Sequence, residues 1–315
     1  MNKNRTLRYL APNLITSFNI LLGLMAVASA FNQDYELSAW LIVYATFLDR
    51  LDGFVARLVN GSSEFGVQMD SFSDFLNFGL APPALIYCSI SSSPILPFQD
   101  GFERYLLMAS CVLWVFAAAF RLARYNVTED APTTLSIRIF FGVPTTVVGG
   151  LLATWYLALY KYAPTGNAFP MLGEEFGGPK LVPSLETPIW IWNYTPVVML
   201  IGAYLMASSI RLPKGWPTPT LFRKLIYYVP IFAGIGMGLI QLFPEYMVWP
   251  PTVWISSLLV WGAVSTAMRN EQPPPVFPPS EPLPVPANAR AEVGDDAAAS
   301  DDDDASEADE AAQDE

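Results

Sequence analysis

Four aspartates, Asp49, Asp52, Asp70 and Asp74, lie within the stretch DRLDGFVARLVNGSSEFGVQMDSFSD, at the edges of long apolar runs. A carboxylate beside or inside a membrane span is costly and therefore marks a functional site. Asp49 and Asp52 are spaced i,i+3, and Asp70 and Asp74 i,i+4. If both segments are helical, each pair shares a face. Two facing pairs would make a cluster of hard oxygen donors suited to Mg2+ or Mn2+. Gly53 and Ala56 present little side chain on one helix face. Arg57 is a planar, permanently charged partner for phosphate. The chain has no histidine, so proton transfer near neutral pH falls to carboxylates or metal-bound water.

The elements that must position these residues read as membrane helices. The 315 residues are 52% hydrophobic and only 15% charged, too apolar for an ordinary soluble domain. Apolar runs at about 12–31, 37–57, 70–91, 104–124, 139–161, 190–210, 225–243 and 250–268 each approach the length of one spanning helix. The expectation is an all-α integral membrane protein of eight helices. Pro82-Pro83 should kink the third. Ala28-Ser29-Ala30 would also fit a signal-peptide cleavage site, but the first run is long enough to span. With the N-terminus in the cytoplasm, twelve Lys or Arg fall on the inner side and three, Arg104, Lys161 and Lys180, on the outer. That is a positive-inside distribution. It puts both termini in the cytoplasm and the aspartates in a cytoplasm-facing pocket.

The net charge of −12 belongs to the tail. Residues 271–315 carry 14 acidic groups and one basic group, whereas residues 1–270 are close to neutral. The expected division is a transmembrane domain at 1–270 and a disordered, Pro-rich then acidic tail at 271–315. No basic patch suggests nucleic acid. The basic, Pro-rich connection RLPKGWPTPT suits an anionic lipid surface or serves as a topology signal. Cys88 and Cys111 sit in apolar runs and do not suggest a disulfide framework.

The central stretch fills every fixed position of D-x-x-D-G-x-x-A-R-x8-G-x-x-x-D-x-x-x-D. This resembles the signature of the CDP-alcohol phosphotransferase family, over about residues 10–160. The resemblance implies the family fold, a divalent cation, and transfer of a phosphatidyl-type group from a CDP-linked lipid to an alcohol with release of CMP. It implies metal ligation by Asp49, Asp52 and Asp70, and a general base in Asp74 that also touches metal. It adds Gly66 to the nucleotide and phosphate contacts of Gly53, Ala56 and Arg57. APNLITSFN resembles the family's P-N-x-x-T start of the first helix, so Asn13 and Thr16, on one face, are expected at the nucleotide.

Three further stretches resemble the phosphatidylserine synthases of that family: DSFSDFLNFGLAPP from Asp70, RLARYN at 121–126 and FFGVP at 140–144. Thr145-Thr146 follows where a Ser-Pro or Thr-Pro is frequent, a small departure. The implied substrates are CDP-diacylglycerol and L-serine. A zwitterionic acceptor needs cations for its carboxylate. Arg121 and Arg124, one turn apart, are the candidates, with Asn126 assisting and Gly79 and Pro82 shaping the pocket. Other family acceptors (glycerol phosphate, inositol phosphate) and an ether-lipid donor are the alternatives. The different class is an ion transporter using intramembrane carboxylates, which leaves Gly53, Ala56 and Gly66 unexplained. The resemblance also implies a homodimer.

Overall fold

The computed structural model describes residues 3–59, 63–128, 139–163, 179–213, 234, 236–265 and 273, with side chains from Pro12 onward and Arg57 excepted. These residues all fall within one compact unit, Met1–Pro274. Most of the basic connection after Arg211, the first part of the seventh apolar run and the acidic tail lie outside the described residues.

The fold is mostly helical. Helices α1 (Lys3–Phe31) and α2 (Tyr35–Leu58) form a hairpin. The turn between them places Gln33 at φ 65°, and the Asp34 carboxylate accepts the Leu37 N–H at 3.1 Å, capping α2. The helices approach closely because Ala26, Ala30 and Ala39 are fully buried. Ser38 Oγ then donates to the Ala26 carbonyl at 2.8 Å. α1 begins well before Pro12, so the P-N-x-x-T segment lies inside the helix rather than at its start.

Helix α3 (Glu64–Asp74) continues through a π-helical turn (Phe75–Leu80) into α4 (Ala81–Ser91). The continuous rod therefore starts six residues before Asp70, and the proline pair does not interrupt it. Pro82 has no N–H for the Phe78 carbonyl four residues back. The widened turn sits at this point, and Trp114 Nε1 donates to that carbonyl at 2.9 Å. A neighbouring helix thus satisfies the acceptor that proline abandons.

Helix α5 (Gly101–Thr128) packs along this turn and along a later helix, Thr195–Ala207. Next come β1 (Ile139–Phe141), α6 (Thr145–Lys161), α7 (Ile189–Asn193), α8 (Thr195–Ala207) and β2 (Arg211–Pro213). After them, α9 (Pro244–Met247) leads into α10 (Trp249–Val264). β1 and β2 form a short antiparallel ribbon pairing Ile139 with Pro213, Phe140 with Leu212 and Phe141 with Arg211. This ribbon departs from the all-α expectation and cuts the fifth apolar run short. Trp40, Trp114, Phe78, Tyr35 and Tyr160 fill the core.

Away from the aspartates, Lys161 at the end of α6 meets both Glu245 oxygens of α9 at 2.8 and 2.9 Å. Cys88 and Cys111 are free thiols. Among the described residues, three helical stretches, Pro12–Phe31, Gly101–Thr128 and Pro244–Val264, are long and apolar enough to cross a membrane, and Thr195–Ala207 is a shorter apolar helix. The second run is less apolar, because α2 carries Glu36, Asp49, Arg50, Asp52 and Arg57.

Candidate active site

The hairpin and the α3 rod bring the acidic residues together. Asp49 from α2 and Asp70 and Asp74 from α3 each present a carboxylate oxygen, and these oxygens lie within 4.8 Å of one another. Three carboxylates at that separation repel strongly in partly buried surroundings and call for a compensating cation. The donor set is all carboxylate, which suits a hard divalent ion such as Mg2+ or Mn2+.

Asp52 stands apart from this trio. Its i,i+3 offset from Asp49 turns it toward α1, where its Oδ2 lies 3.2 Å from Thr16 Oγ1. Thr16 is itself 3.1 Å from the Pro12 carbonyl, so its one hydrogen is shared. Asn13 is close by on the same helix. A Cβ on Gly66 would come within 3.2 Å of both Asn13 Oδ1 and Ser63 Oγ. Glycine there lets the first turn of α3 lie against α1, while Ser63 Oγ accepts the Gly66 N–H at 3.0 Å as the N-cap. Gly53 and Ala56 are half-buried on α2. The Arg57 side chain lies outside the described residues.

The three aspartates line a cavity of about 540 Å3. Arg121, Tyr125 and Asn126 of α5 border it, together with Pro144 and Thr146 at the start of α6, Leu212 and Pro213 of β2, and Trp254 of α10. Arg121 is buried, with its guanidinium 5.1 Å above the Tyr125 ring. Asn126 Nδ2 donates to Ser71 Oγ at 2.9 Å, tying α5 to the residue after Asp70.

Two expectations for the acceptor pocket change. Arg124 does not line this cavity. Its guanidinium donates to the carbonyls of Phe141 (2.6 Å), Ala207 (3.0 Å), Met206 (3.2 Å) and Ser208 (2.9 Å). It thereby caps the C-terminal end of α8 and holds β1 to it. Gly79 and Pro82 are buried in the core, where a Gly79 Cβ would meet Phe75 at 2.9 Å and Ala118 at 3.1 Å. They shape the helix that carries Asp74, not the cavity wall.

The structure also adds residues. Thr146 Oγ1 lies 3.3 Å from each oxygen of Asp74 and donates to that carboxylate. The departure at Thr145-Thr146 was its only trace in the sequence. Ser71 and Tyr125 lay inside the quoted motifs without a role. Arg50, outside any fixed motif position, reaches the cavity rim.

A second, apolar cavity of about 220 Å3 adjoins the first and is lined by Val43, Phe47, Leu151, Met247 and Pro250, among others. Arg50, Thr146, Val147 and Trp254 line both.

The sequence profile described as CDP-alcohol phosphatidyltransferase matches residues 9–174. The chain is 36% identical over 246 residues to a Helicobacter pylori protein named CDP-diacylglycerol–serine O-phosphatidyltransferase, covering 75% of this chain and 89% of that one. Proteins of the same name from Mycobacterium bovis and Bacillus subtilis are 35% and 26% identical, each match covering 64% of this chain and, respectively, 71% and 89% of theirs. The matched region contains the carboxylate trio, the Asn126–Ser71 tie and Thr146, and the chain belongs to the CDP-alcohol phosphatidyltransferase family.

Proposed function

We propose that this protein transfers the phosphatidyl group of CDP-diacylglycerol to the hydroxyl of L-serine and releases CMP. The observation that carries this reading is the convergence of Asp49, Asp70 and Asp74 on a cavity that shares four lining residues with a more apolar one. A lipid diphosphate has that same division. The relatives' names supply the serine.

Asp49, Asp70 and Asp74 would hold a divalent cation, Mg2+ or Mn2+, which when bound would supply neutralising charge to the diphosphate. Asp74 accepts the proton of the serine hydroxyl as that oxygen bonds to the lipid-side phosphorus. The bond from this phosphorus to the CMP oxygen breaks, and CMP leaves with the electron pair. Thr146 orients Asp74 by occupying it with a hydrogen bond. Arg121, stacked on Tyr125, holds the serine carboxylate, and Asn126 lines the same wall. Asn13, Thr16, Gly53, Ala56, Arg57 and Gly66 form the nucleotide side. Asp52, held by Thr16, is the fourth carboxylate available there or to a second ion. The acyl chains lie along Val43, Phe47, Leu151 and Met247.

We place the protein in the cytoplasmic membrane as eight spans with both termini inside, acting as a homodimer, with residues 271–315 as a separate tail. The positive-inside distribution and the family support this placement.

The deciding assay uses purified protein in detergent with CDP-diacylglycerol, Mg2+ or Mn2+, and a panel of alcohols, with CMP measured. Release is expected with L-serine, absent with glycerol 3-phosphate or inositol phosphate, and abolished by a chelator. Asp74→Asn should lower turnover by about a hundredfold or more while leaving the melting temperature unchanged. Near-normal CMP release by that variant removes Asp74 as the base.

A further inference from the structure

Arg50 follows the first aspartate of the trio but belongs to no part of the mechanism above. Its side chain lines the polar cavity, alongside Asp49, Asp70, Asp74 and Arg121, and also the apolar one, alongside Val43, Phe47 and Met247. It is exposed rather than packed away. It forms no hydrogen bond or ion pair with another described residue; the ion pair found among those residues joins Lys161 to Glu245. The contrast with Arg124, whose guanidinium is saturated by four carbonyls, is direct. Among the described residues Arg50 makes no such hydrogen bond, and it stands at a boundary between a charged chamber and an apolar one.

A ligand that fills both chambers must change from charged to apolar at that boundary. In a diacylglycerol diphosphate the change occurs at the phosphate esterified to the glycerol. We propose that Arg50 binds this lipid-side phosphate of the donor, and the equivalent phosphate of the phospholipid product, fixing the lipid where headgroup meets acyl chain. Arginine suits the task because its planar fork meets a phosphate bidentately, while its stem lies along the apolar wall. The inference rests on the reaction proposed above, but Arg50's contact is a binding event and is testable without turnover.

Calorimetric binding of CDP-diacylglycerol and of CMP, each with Mn2+, is compared in wild type, R50Q and R50K. Only the first ligand carries the lipid-side phosphate. R50Q is expected to weaken CDP-diacylglycerol binding by about tenfold and to leave CMP binding within about twofold. R50K, which keeps the charge but loses the bidentate fork, should recover only part of the loss. Gel filtration and melting temperature establish that R50Q is folded. If R50Q binds both ligands as wild type does, or loses both equally, the proposal is overturned. If R50Q and R50K lose CDP-diacylglycerol binding equally, the positive charge is not what binds. If the binding difference holds but wild type releases no CMP with serine, the proposed reaction fails while the phosphate contact stands.

Discussion

Thr146 and Asp74 illustrate how much a single hydroxyl can decide. Asp74 is buried, and Thr146 donates to its carboxylate from the first turn of α6. In the proposed reaction Asp74 takes a proton from serine, so its free lone pair has to point at the hydroxyl, and a fixed donor on the other side sets that direction. Thr146→Val keeps the shape and removes the donor. Its turnover is expected to fall about tenfold, with Thr146→Ser restoring it. Equal rates for wild type and the valine variant in the CMP assay would reduce Thr146 to packing. Asp49 and Asp70 have no such latitude, since each supplies one of three oxygens that must meet.

At the scale of elements, the site depends on contacts that lie outside it. Arg124 joins α5 to β1 and the end of α8, and β1 and β2 form part of the cavity's far wall. Gly142 makes this junction possible. At φ 79° it adopts a conformation that L side chains rarely reach, and a Cβ would sit 2.5 Å from the Met206 carbonyl and 2.6 Å from Arg124 Nη2. Arg124→Ala strands several buried carbonyls and should cost about 3 kcal/mol, read as a lowered melting temperature. CMP release should fall with it, as the ribbon beside the cavity loosens. A variant of unchanged stability would show that the ribbon holds without its clamp. The π-helical turn follows the same logic. Asp74 lies immediately before it, and Trp114 compensates for Pro82, so the helix that carries Asp74 is braced by a tryptophan on another helix.

For the whole molecule, the question is how the helices meet the bilayer. The apolar faces of α5 and α8 are exposed, with Phe102, Leu113, Phe116, Val198 and Ile201 turned outward. Such faces belong against lipid. The eight-span proposal puts the aspartate cavity at the cytoplasmic side and the Lys161–Glu245 pair at the outer side. Single cysteines placed at Ser63 and at Lys180 in a chain with Cys88 and Cys111 replaced should then label from opposite sides of sealed vesicles. Labelling of both from the same side would invalidate that topology.

The sequence determined the chemistry. Eight fixed positions at set spacing named the carboxylates, and their places beside apolar runs put them in a membrane enzyme, because spacing along a helix fixes which side chains share a face. Only the tertiary structure decided which members of the pattern meet. Asp52 and Asp49 look equivalent in the chain, yet one pairs with Thr16 and the other joins Asp70 and Asp74. Arg121 and Arg124 look interchangeable, yet one enters the cavity and the other closes a helix end. Arg50 carried no motif signal and Thr146 only a small departure from one, because the neighbours that give them a place in the site come from helices remote in sequence. Which partner a side chain meets depends on how the rods pack, and that is a property of the assembled core.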